Sequence, residues 1–323
     1  MGPLIWIIDE EWLDYEDEIR VLKQAFPSCA IKKSGYDYRG DLDKFGYLAD
    51  AIISQIYVKL DAGAISKLEK CKVISVYGGG YDRVDVLSAN KRGIAVAFVP
   101  GYCTDDIADY VMSCILRANK PIDSYGSALN DRIWGLPAAG KLRHRVQGSR
   151  LFIIGLGRIG RAAAAKAKAL KMEVSAYDPY VNEEAMDSMG VRKYDSLEDG
   201  LGEADYVSVH ARLTSETEGM IGIEQLSRMK PDALLINTAR GKIVREKDLV
   251  EAVTNHVISG AIVDVVAVEP PSFDEPIFHC PGIAVTPHVS YLSVESFKEL
   301  KTRTAENVVK VLRGEELKDI ASV

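Results

Sequence analysis

An α/β fold with parallel sheets follows from two features of the sequence. Short apolar runs alternate with helix-period stretches along the chain, and one glycine-rich turn is set between such a run and an alanine-rich helix. The strand-like runs begin with LIWII at Leu4, AIIS at Ala51, KVISV at Lys72, IAVAFV at Ile94 and LFIIG at Leu151. VSAY at Val174, YVSV at Tyr206, ALLIN at Ala233, GAIVDV at Gly260 and IAV at Ile283 continue the series. Helical spacing between most of them gives the βαβα order of a sheet covered on both faces.

Two helices frame the organisation. Thr104 to Asn119 reads as a long core helix, with Thr104 as N-cap, Asp105 and Asp106 in the first turn, and Ile107, Val111, Met112, Ile115 and Leu116 on one face. Val99-Pro100-Gly101-Tyr102 precedes it, and its Pro-Gly pair reads as a turn and a hinge. Ser293 to Arg313 is a second amphipathic helix, with Phe297, Leu300, Val308 and Leu312 inward and Gly314 as the stop.

A chain of 323 residues is long for one core, so two domains are expected. Its 47% hydrophobic and 27% charged residues exclude disordered and fibrous classes. A net charge of −7 argues against a nucleic-acid partner, because such binding draws on clustered Lys and Arg. The apolar run at the N-terminus is too short for a membrane span and lacks the basic region of a signal peptide. Five scattered cysteines, odd in number and without metal-ligand spacing, read as reduced thiols. No membrane partner, no metal and a cytoplasmic location are the expectations.

The sharpest local signal is LFIIGLGRIGRAAAAKAKAL, where Gly155, Gly157 and Gly160 form GxGxxG between strand and helix. Gly155 permits the tight turn, Gly157 lets a pyrophosphate approach the backbone, and Gly160 lets the helix pack on the strand. The next strand ends at Asp178, 18 residues beyond Gly160, where an acid would hydrogen-bond the ribose hydroxyls of NAD and repel a 2′-phosphate. Pro179-Tyr180-Val181-Asn182 offers no arginine to receive that phosphate, so NAD is expected over NADP. A structural glycine turn followed by a surface acid is the alternative.

Hydride transfer to a keto acid needs a cation for the carboxylate and carbonyl, and a proton donor near the carbonyl oxygen. Of five histidines, His288 directly follows the strand Ile283-Ala284-Val285. Arg240 follows Leu235-Ile236-Asn237, and Glu269 follows Ala261 to Val265. Ligands in open α/β sheets sit beyond the carboxyl ends of strands. Spacing alone leaves an ordinary set of surface residues as an equal reading, since polar residues after strands are common.

At these residues the sequence resembles the D-isomer-specific 2-hydroxyacid dehydrogenases. That family includes D-lactate, D-glycerate and 3-phosphoglycerate dehydrogenases and the C-terminal-binding-protein corepressors. The matching stretches are Gly78 to Asp82, Val99 to Tyr102, Gly155 to Gly160, Asn237 to Gly241, Asp264 to Pro270 and Thr286 to His288. They span about two-thirds of the chain in family order. The resemblance implies that Arg240 binds the carboxylate and carbonyl, that His288 is the general acid for reduction, and that Glu269 pairs with it and stabilises the imidazolium. Backbone N–H groups of Gly79 and Gly80 would take the other side of the carboxylate, with Tyr102 at the substrate mouth. Asp264 contacts the nicotinamide amide or is a buried strand-end acid. Thr104, Thr238 and Ala239 fall at cofactor-lining positions, as do Arg158, Ile159, His210 and Ala211, and Arg240 and His288 also border the cofactor.

The resemblance also implies the topology: a Rossmann-type nucleotide-binding domain, residues 101–289, inserted into a smaller flavodoxin-like substrate domain, residues 1–100 and 290–323. The reaction would occupy the cleft between them, and a homodimer would form through the nucleotide domain. Some residues depart from the family pattern. Arg212 replaces a common proline in His210-Ala211-Arg212-Leu213-Thr214, Asp82-Arg83-Val84-Asp85 replaces Asp-Asn-Ile-Asp, and Phe98 replaces an Asn. Tyr291 stands where the corepressors carry Trp and most enzymes a small residue, so it either lines the substrate pocket or packs at a hinge.

Two rivals follow. A formate-dehydrogenase-like enzyme carries Gln at the position of Glu269. An NAD-sensing corepressor-like binding protein with little turnover carries a long disordered tail, for which nine residues follow Gly314 here. The keto acid and the preferred direction are not encoded in these motifs, because every 2-keto acid presents the same carboxylate and carbonyl.

Overall fold

Ile5, Trp6, Ile7 and Ile8 are fully buried. This unbroken apolar run makes β1 (Leu4–Ile8) an interior strand, paired in parallel with β2 (Ala30–Ser34) on one side and β3 (Ala51–Gln55) on the other. With β4 (Val73–Tyr77) and β5 (Ala95–Ala97) they form a five-stranded sheet in the order β2-β1-β3-β4-β5, the flavodoxin-like order. The computed structural model describes residues 2–321 and divides into two units, Met1–Tyr102 with Leu292–Val323, and Cys103–Tyr291. The first holds this sheet.

The helix Val294–Arg313 belongs to the first unit although it closes the chain. Ser293 caps it through a bond from the Ser296 N–H, and Gly314 ends it in the left-handed region at φ 74°. Asn307 Nδ2 donates to the Phe98 carbonyl at 3.2 Å, and Ser75 Oγ donates to the Thr304 carbonyl at 2.9 Å, tying the helix to β4 and the chain after β5.

The second unit is built on a seven-stranded parallel sheet. Its strands are β6 (Arg150–Ile154), β7 (Glu173–Tyr177), β8 (Arg192–Lys193), β9 (Tyr206–Val209), β10 (Leu234–Asn237), β11 (Gly260–Val263) and β12 (Ile283–Val285). The order β12-β11-β10-β9-β6-β7-β8 reverses direction between β6 and β9. That is the doubly wound Rossmann arrangement, and its switch point is where such sheets place ligands. The helix Arg158–Ala169 packs on Thr104–Asn119 through Ala163, Ala164 and Ala167, whose small side chains let the two approach, while Lys166 on its rim reaches Asp109 at 2.8 Å.

All ten expected runs form strands. β2 and β8 were not expected, and both are edge strands carrying charge (Lys32 and Lys33, Arg192 and Lys193), which gives them no apolar signature. Two expectations for the long helix are corrected. Cys103, not Thr104, is its N-cap, without a side-chain capping bond, because Thr104 is already the first helical residue. Leu116 is 41% exposed, lying beside rather than on the face formed by Ile107, Val111, Met112 and Ile115. All five cysteines are buried. No helix among the described residues is long and apolar enough to cross a membrane.

Candidate active site

At the switch point, β6 runs into Gly155, whose φ of +92° suits glycine. A Cβ there would come within 2.7 Å of the Ala211 nitrogen, and one on Gly160 within 2.3 Å of the Gly155 oxygen. Both glycines are therefore required by packing of the turn against β9 and the helix. Gly157 differs: a Cβ on it would meet no atom within 4 Å, so it borders open space at the N-terminus of Arg158–Ala169. The N–H groups of Arg158 and Ile159 open that helix and have no intrahelical acceptor, which suits an anion.

Asp178 follows β7. Its Oδ2 accepts from the Leu156 N–H at 2.7 Å and its Oδ1 from the Tyr180 N–H at 2.9 Å, which pins the carboxylate to the glycine turn. Two accepted bonds leave lone pairs on a carboxylate for further hydroxyl donors. His210 follows β9, with its backbone N–H on the Ile154 carbonyl at 2.7 Å and its Nε2 2.9 Å from Ser208 Oγ. Burial pulls the imidazole down to about 4, so it is neutral near pH 7. Thr238, after β10, is 7% exposed, and its Oγ1 is a buried polar atom without a hydrogen-bond partner. Such an orphan is expected where a ligand supplies the partner. Bare glycine backbone, a helix N-terminus, a strand-end carboxylate and an orphaned hydroxyl on neighbouring strand ends fit a dinucleotide.

The strand ends of β10, β11 and β12 bring three further residues into one unit. Asn237 Oδ1 accepts from the Ala239 N–H at 3.0 Å and its Nδ2 donates to the Arg240 carbonyl at 3.0 Å, a local turn that sets the backbone of Arg240. Gly241 lets this turn lie against the next loop, since a Cβ would be 2.0 Å from the Val266 carbonyl carbon. Asn237 and Gly241 bound a sequence motif that by itself states no task for either, since both roles depend on tertiary contacts. Glu269 Oε1 accepts from the Val266 N–H at 3.1 Å, and Oε2 lies 3.2 Å from His288 Nδ1. Burial alone would raise the Glu269 carboxyl. The hydrogen bond and charge of His288, the Val266 N–H and the charge of Arg240 outweigh it and hold the group below the usual carboxylate value. Glu269 is thus an anion between two cation-forming side chains.

His288 sits at φ +54°, a region that non-glycine residues rarely occupy. Asp264, 1% exposed at the end of β11, holds the segment around it: its carboxylate accepts from Thr286 Oγ1 at 2.6 Å, from the Val289 N–H at 2.9 Å and from the Ser290 N–H at 2.8 Å. The Tyr291 ring stands edge-on to the imidazole, with centroids 6.3 Å apart.

Gly79, Gly80 and Tyr102 lie in the other unit. Gly79 and Gly80 follow β4 in a loop anchored by the Val99 N–H on the Gly78 carbonyl at 2.8 Å, and Gly79 is exposed. Thr104 opens the long helix of the second unit, and Ala239 is half-buried beside Arg240. Among the described residues no three His, Cys, Asp or Glu side chains group as metal ligands.

Residues 112–290 match the model of the D-isomer specific 2-hydroxyacid dehydrogenase NAD binding domain. The chain is 36% identical to a glyoxylate reductase of Korarchaeum cryptofilum over 82% of its length and 80% of that protein. It is 35% identical to a D-3-phosphoglycerate dehydrogenase of Methanocaldococcus jannaschii over 85% of its length, and spans 52% of that longer protein. Among solved structures, D-lactate dehydrogenase of Aquifex aeolicus, complexed with NAD and lactic acid, superimposes with a TM-score of 0.86 at 26% identity, covering 96% of each chain.

Proposed function

Because the chain belongs to the D-isomer specific 2-hydroxyacid dehydrogenase family, we propose that it interconverts a 2-keto acid and a D-2-hydroxy acid with His288 as the acid/base. It is an NAD-dependent dehydrogenase of that family. The observation that carries the acid/base assignment is the Glu269–His288 contact of 3.2 Å beside the strand end that bears Arg240.

When bound, NADH supplies the hydride that reduces the carbonyl carbon. Arg240 holds the substrate carboxylate and polarises the carbonyl. His288 passes its proton to the carbonyl oxygen, which becomes the hydroxyl of the product, and in oxidation the neutral imidazole takes that proton back. Glu269, kept ionised by its surroundings, orients Nδ1 and stabilises the imidazolium. Gly155, Gly157, Gly160 and the first turn of Arg158–Ala169 take the pyrophosphate, Asp178 the adenine ribose, and Thr238 a polar group of the cofactor. His210, Ala211, Thr104, Ala239 and Asp264 border it. Met1–Tyr102 with Leu292–Val323 is assigned as the substrate domain, contributing Gly79, Gly80 and Tyr102, and Cys103–Tyr291 as the NAD domain, contributing Tyr291 to substrate contact.

A panel of 2-keto acids with NADH, with formate and NAD as a further arm, tests the reaction. Turnover of at least one keto acid is expected. Binding of NADH without turnover of any would return the chain to the cofactor-sensing reading.

We also infer a homodimer through the second unit and a cytoplasmic location. The helix Ile122–Asn130 buries none of its residues, and the stretch it begins exposes Ile122 (74%), Leu129, Ile133, Trp134 (82%), Leu136 and Leu142. Six such side chains leave on the order of several hundred Å² of apolar surface, the scale of one partner's share in a stable interface. Light scattering of the purified protein tests the dimer, and cell fractionation the location.

A further inference from the structure

One polar chain in the second unit is not used by the reaction as described. The Tyr110 hydroxyl, on the helix Thr104–Asn119, is in a short hydrogen bond with Thr286 Oγ1, and Thr286 Oγ1 donates to Asp264 Oδ1 at 2.6 Å. Proton counting fixes the direction. A hydroxyl has one proton, and that of Thr286 is committed to the carboxylate, so Tyr110 donates to Thr286. Behind Tyr110 stands Cys114, one helical turn on, a partner of the phenol whose thiol is pushed up to about 12 by burial and so stays protonated. The result is a one-way relay of donors ending on Asp264.

Asp264 is also the hub of the segment that carries His288. Its carboxylate takes the N–H groups of Val289 and Ser290, and its backbone carbonyl takes the His288 N–H at 2.9 Å. A non-glycine residue at φ +54° is strained and persists only where its surroundings over-determine it. The surroundings here are Thr286, Val289 and Ser290, which flank His288 and each donate to that one carboxylate. The orientation of that carboxylate is set in turn by Thr286, and the rotamer of Thr286 by Tyr110. Successive hydrogen bonds shielded from water polarise and strengthen one another, and both bonds of this relay are partly buried.

We infer that Tyr110 is a positioning residue for His288, acting through Thr286 and Asp264. The inference rests on the reading of His288 as proton donor. Tyr110 touches neither substrate nor cofactor in this account; it locks the hydroxyl that locks the carboxylate.

The test uses Tyr110→Phe, which keeps the ring, with Thr286→Val and Thr286→Ser in the full-length enzyme, and glyoxylate and pyruvate as probe keto acids. Loss of one relay bond should lower kcat for reduction about 3- to 10-fold, the scale of a net hydrogen bond, with KM for NADH unchanged within about 2-fold. In the Thr286→Val background, Tyr110→Phe should change kcat by less than about 2-fold, because its route to His288 is already cut. Thr286→Ser should restore the turnover lost in Thr286→Val and, with it, the sensitivity to Tyr110→Phe. Wild-type kcat in Tyr110→Phe overturns the inference, as does a loss that multiplies with that of Thr286→Val, which would mean that Tyr110 acts elsewhere. His288→Ala separates the two levels. If it abolishes turnover while Tyr110→Phe is normal, only the positioning role fails; if it retains turnover, the reading of His288 itself fails.

Discussion

His210 offers a quantitative test of how the second unit is built. Burial holds the folded imidazole at about 4, against 6.5 for an ordinary histidine. Below pH 6.5 the unfolded chain binds a proton that the folded protein refuses, so stability falls as pH falls, and the loss levels off below the folded value. Above 6.5 the group contributes nothing to the pH dependence. Integrating proton binding between those two values gives a loss of about 2 kcal/mol by pH 5 and about 3 kcal/mol by pH 4. Carboxylates titrate in the same range, so the informative quantity is a difference. His210→Gln keeps an amide able to reach Ser208 Oγ, now 2.9 Å from the imidazole, and has no proton to gain. Urea unfolding of both proteins without cofactor, followed by circular dichroism from pH 7.5 to 4.5, gives that difference. The variant should gain on the wild type by about 2 to 3 kcal/mol across the range. Parallel curves within about 0.5 kcal/mol would show that the folded imidazole takes up its proton normally, and that the packing of the β9 end against the glycine turn is looser than described.

Three further outcomes are expected. Reduction consumes a proton and oxidation releases one, so keto-acid reduction should decline and hydroxy-acid oxidation should rise as pH increases; Glu269→Gln, which removes the carboxylate held ionised beside His288, should alter both profiles, and His288→Ala should cost on the order of 10²-fold in turnover with NADH binding intact, so an unaltered profile in His288→Ala would point to another proton donor. Efficiency with NADH should exceed that with NADPH by at least about tenfold, since Asp178 would face a 2′-phosphate at short range; equal use of both would place its carboxylate away from the ribose. Tyr291→Ala should reorder a panel of keto acids by size more than it alters NADH affinity, whereas an unchanged ranking leaves the ring a packing role beside His288.

The sequence was most legible where a local rule is obligatory. Apolar runs with no polar alternation read as parallel strands, and all ten form them, eight in sheet interiors and two, β5 and β12, at edges. GxGxxG between strand and helix states a geometric demand that the Gly155 and Gly160 contacts make explicit. The edge strands β2 and β8 escaped because they carry charge in place of an apolar run, and the Thr104 cap because one residue of helix extension moves a cap without changing the pattern around it. Least legible were the bonds that join distant parts of the chain. Tyr110 and Thr286 are 176 residues apart, and neither belongs to a pattern that names the other. The orphaned Thr238 hydroxyl and the three donors on Asp264 likewise depend on register between strands, which composition and spacing do not express.

The second unit is continuous in sequence, whereas the first is assembled from both ends of the chain. During synthesis the five-stranded sheet is therefore complete long before the helix Val294–Arg313 exists to cover it. About 190 residues are made in between, roughly 10 to 40 seconds at ordinary elongation rates. Over that interval the faces of β3 and β4 that will receive the helix, and the Ser75 hydroxyl and Phe98 carbonyl that will bond to it, are exposed to solvent or to a chaperone. The unit begun second can thus finish first, and a chain truncated after Tyr291 should display a protease-resistant Cys103–Tyr291 core beside a cleavable N-terminal segment.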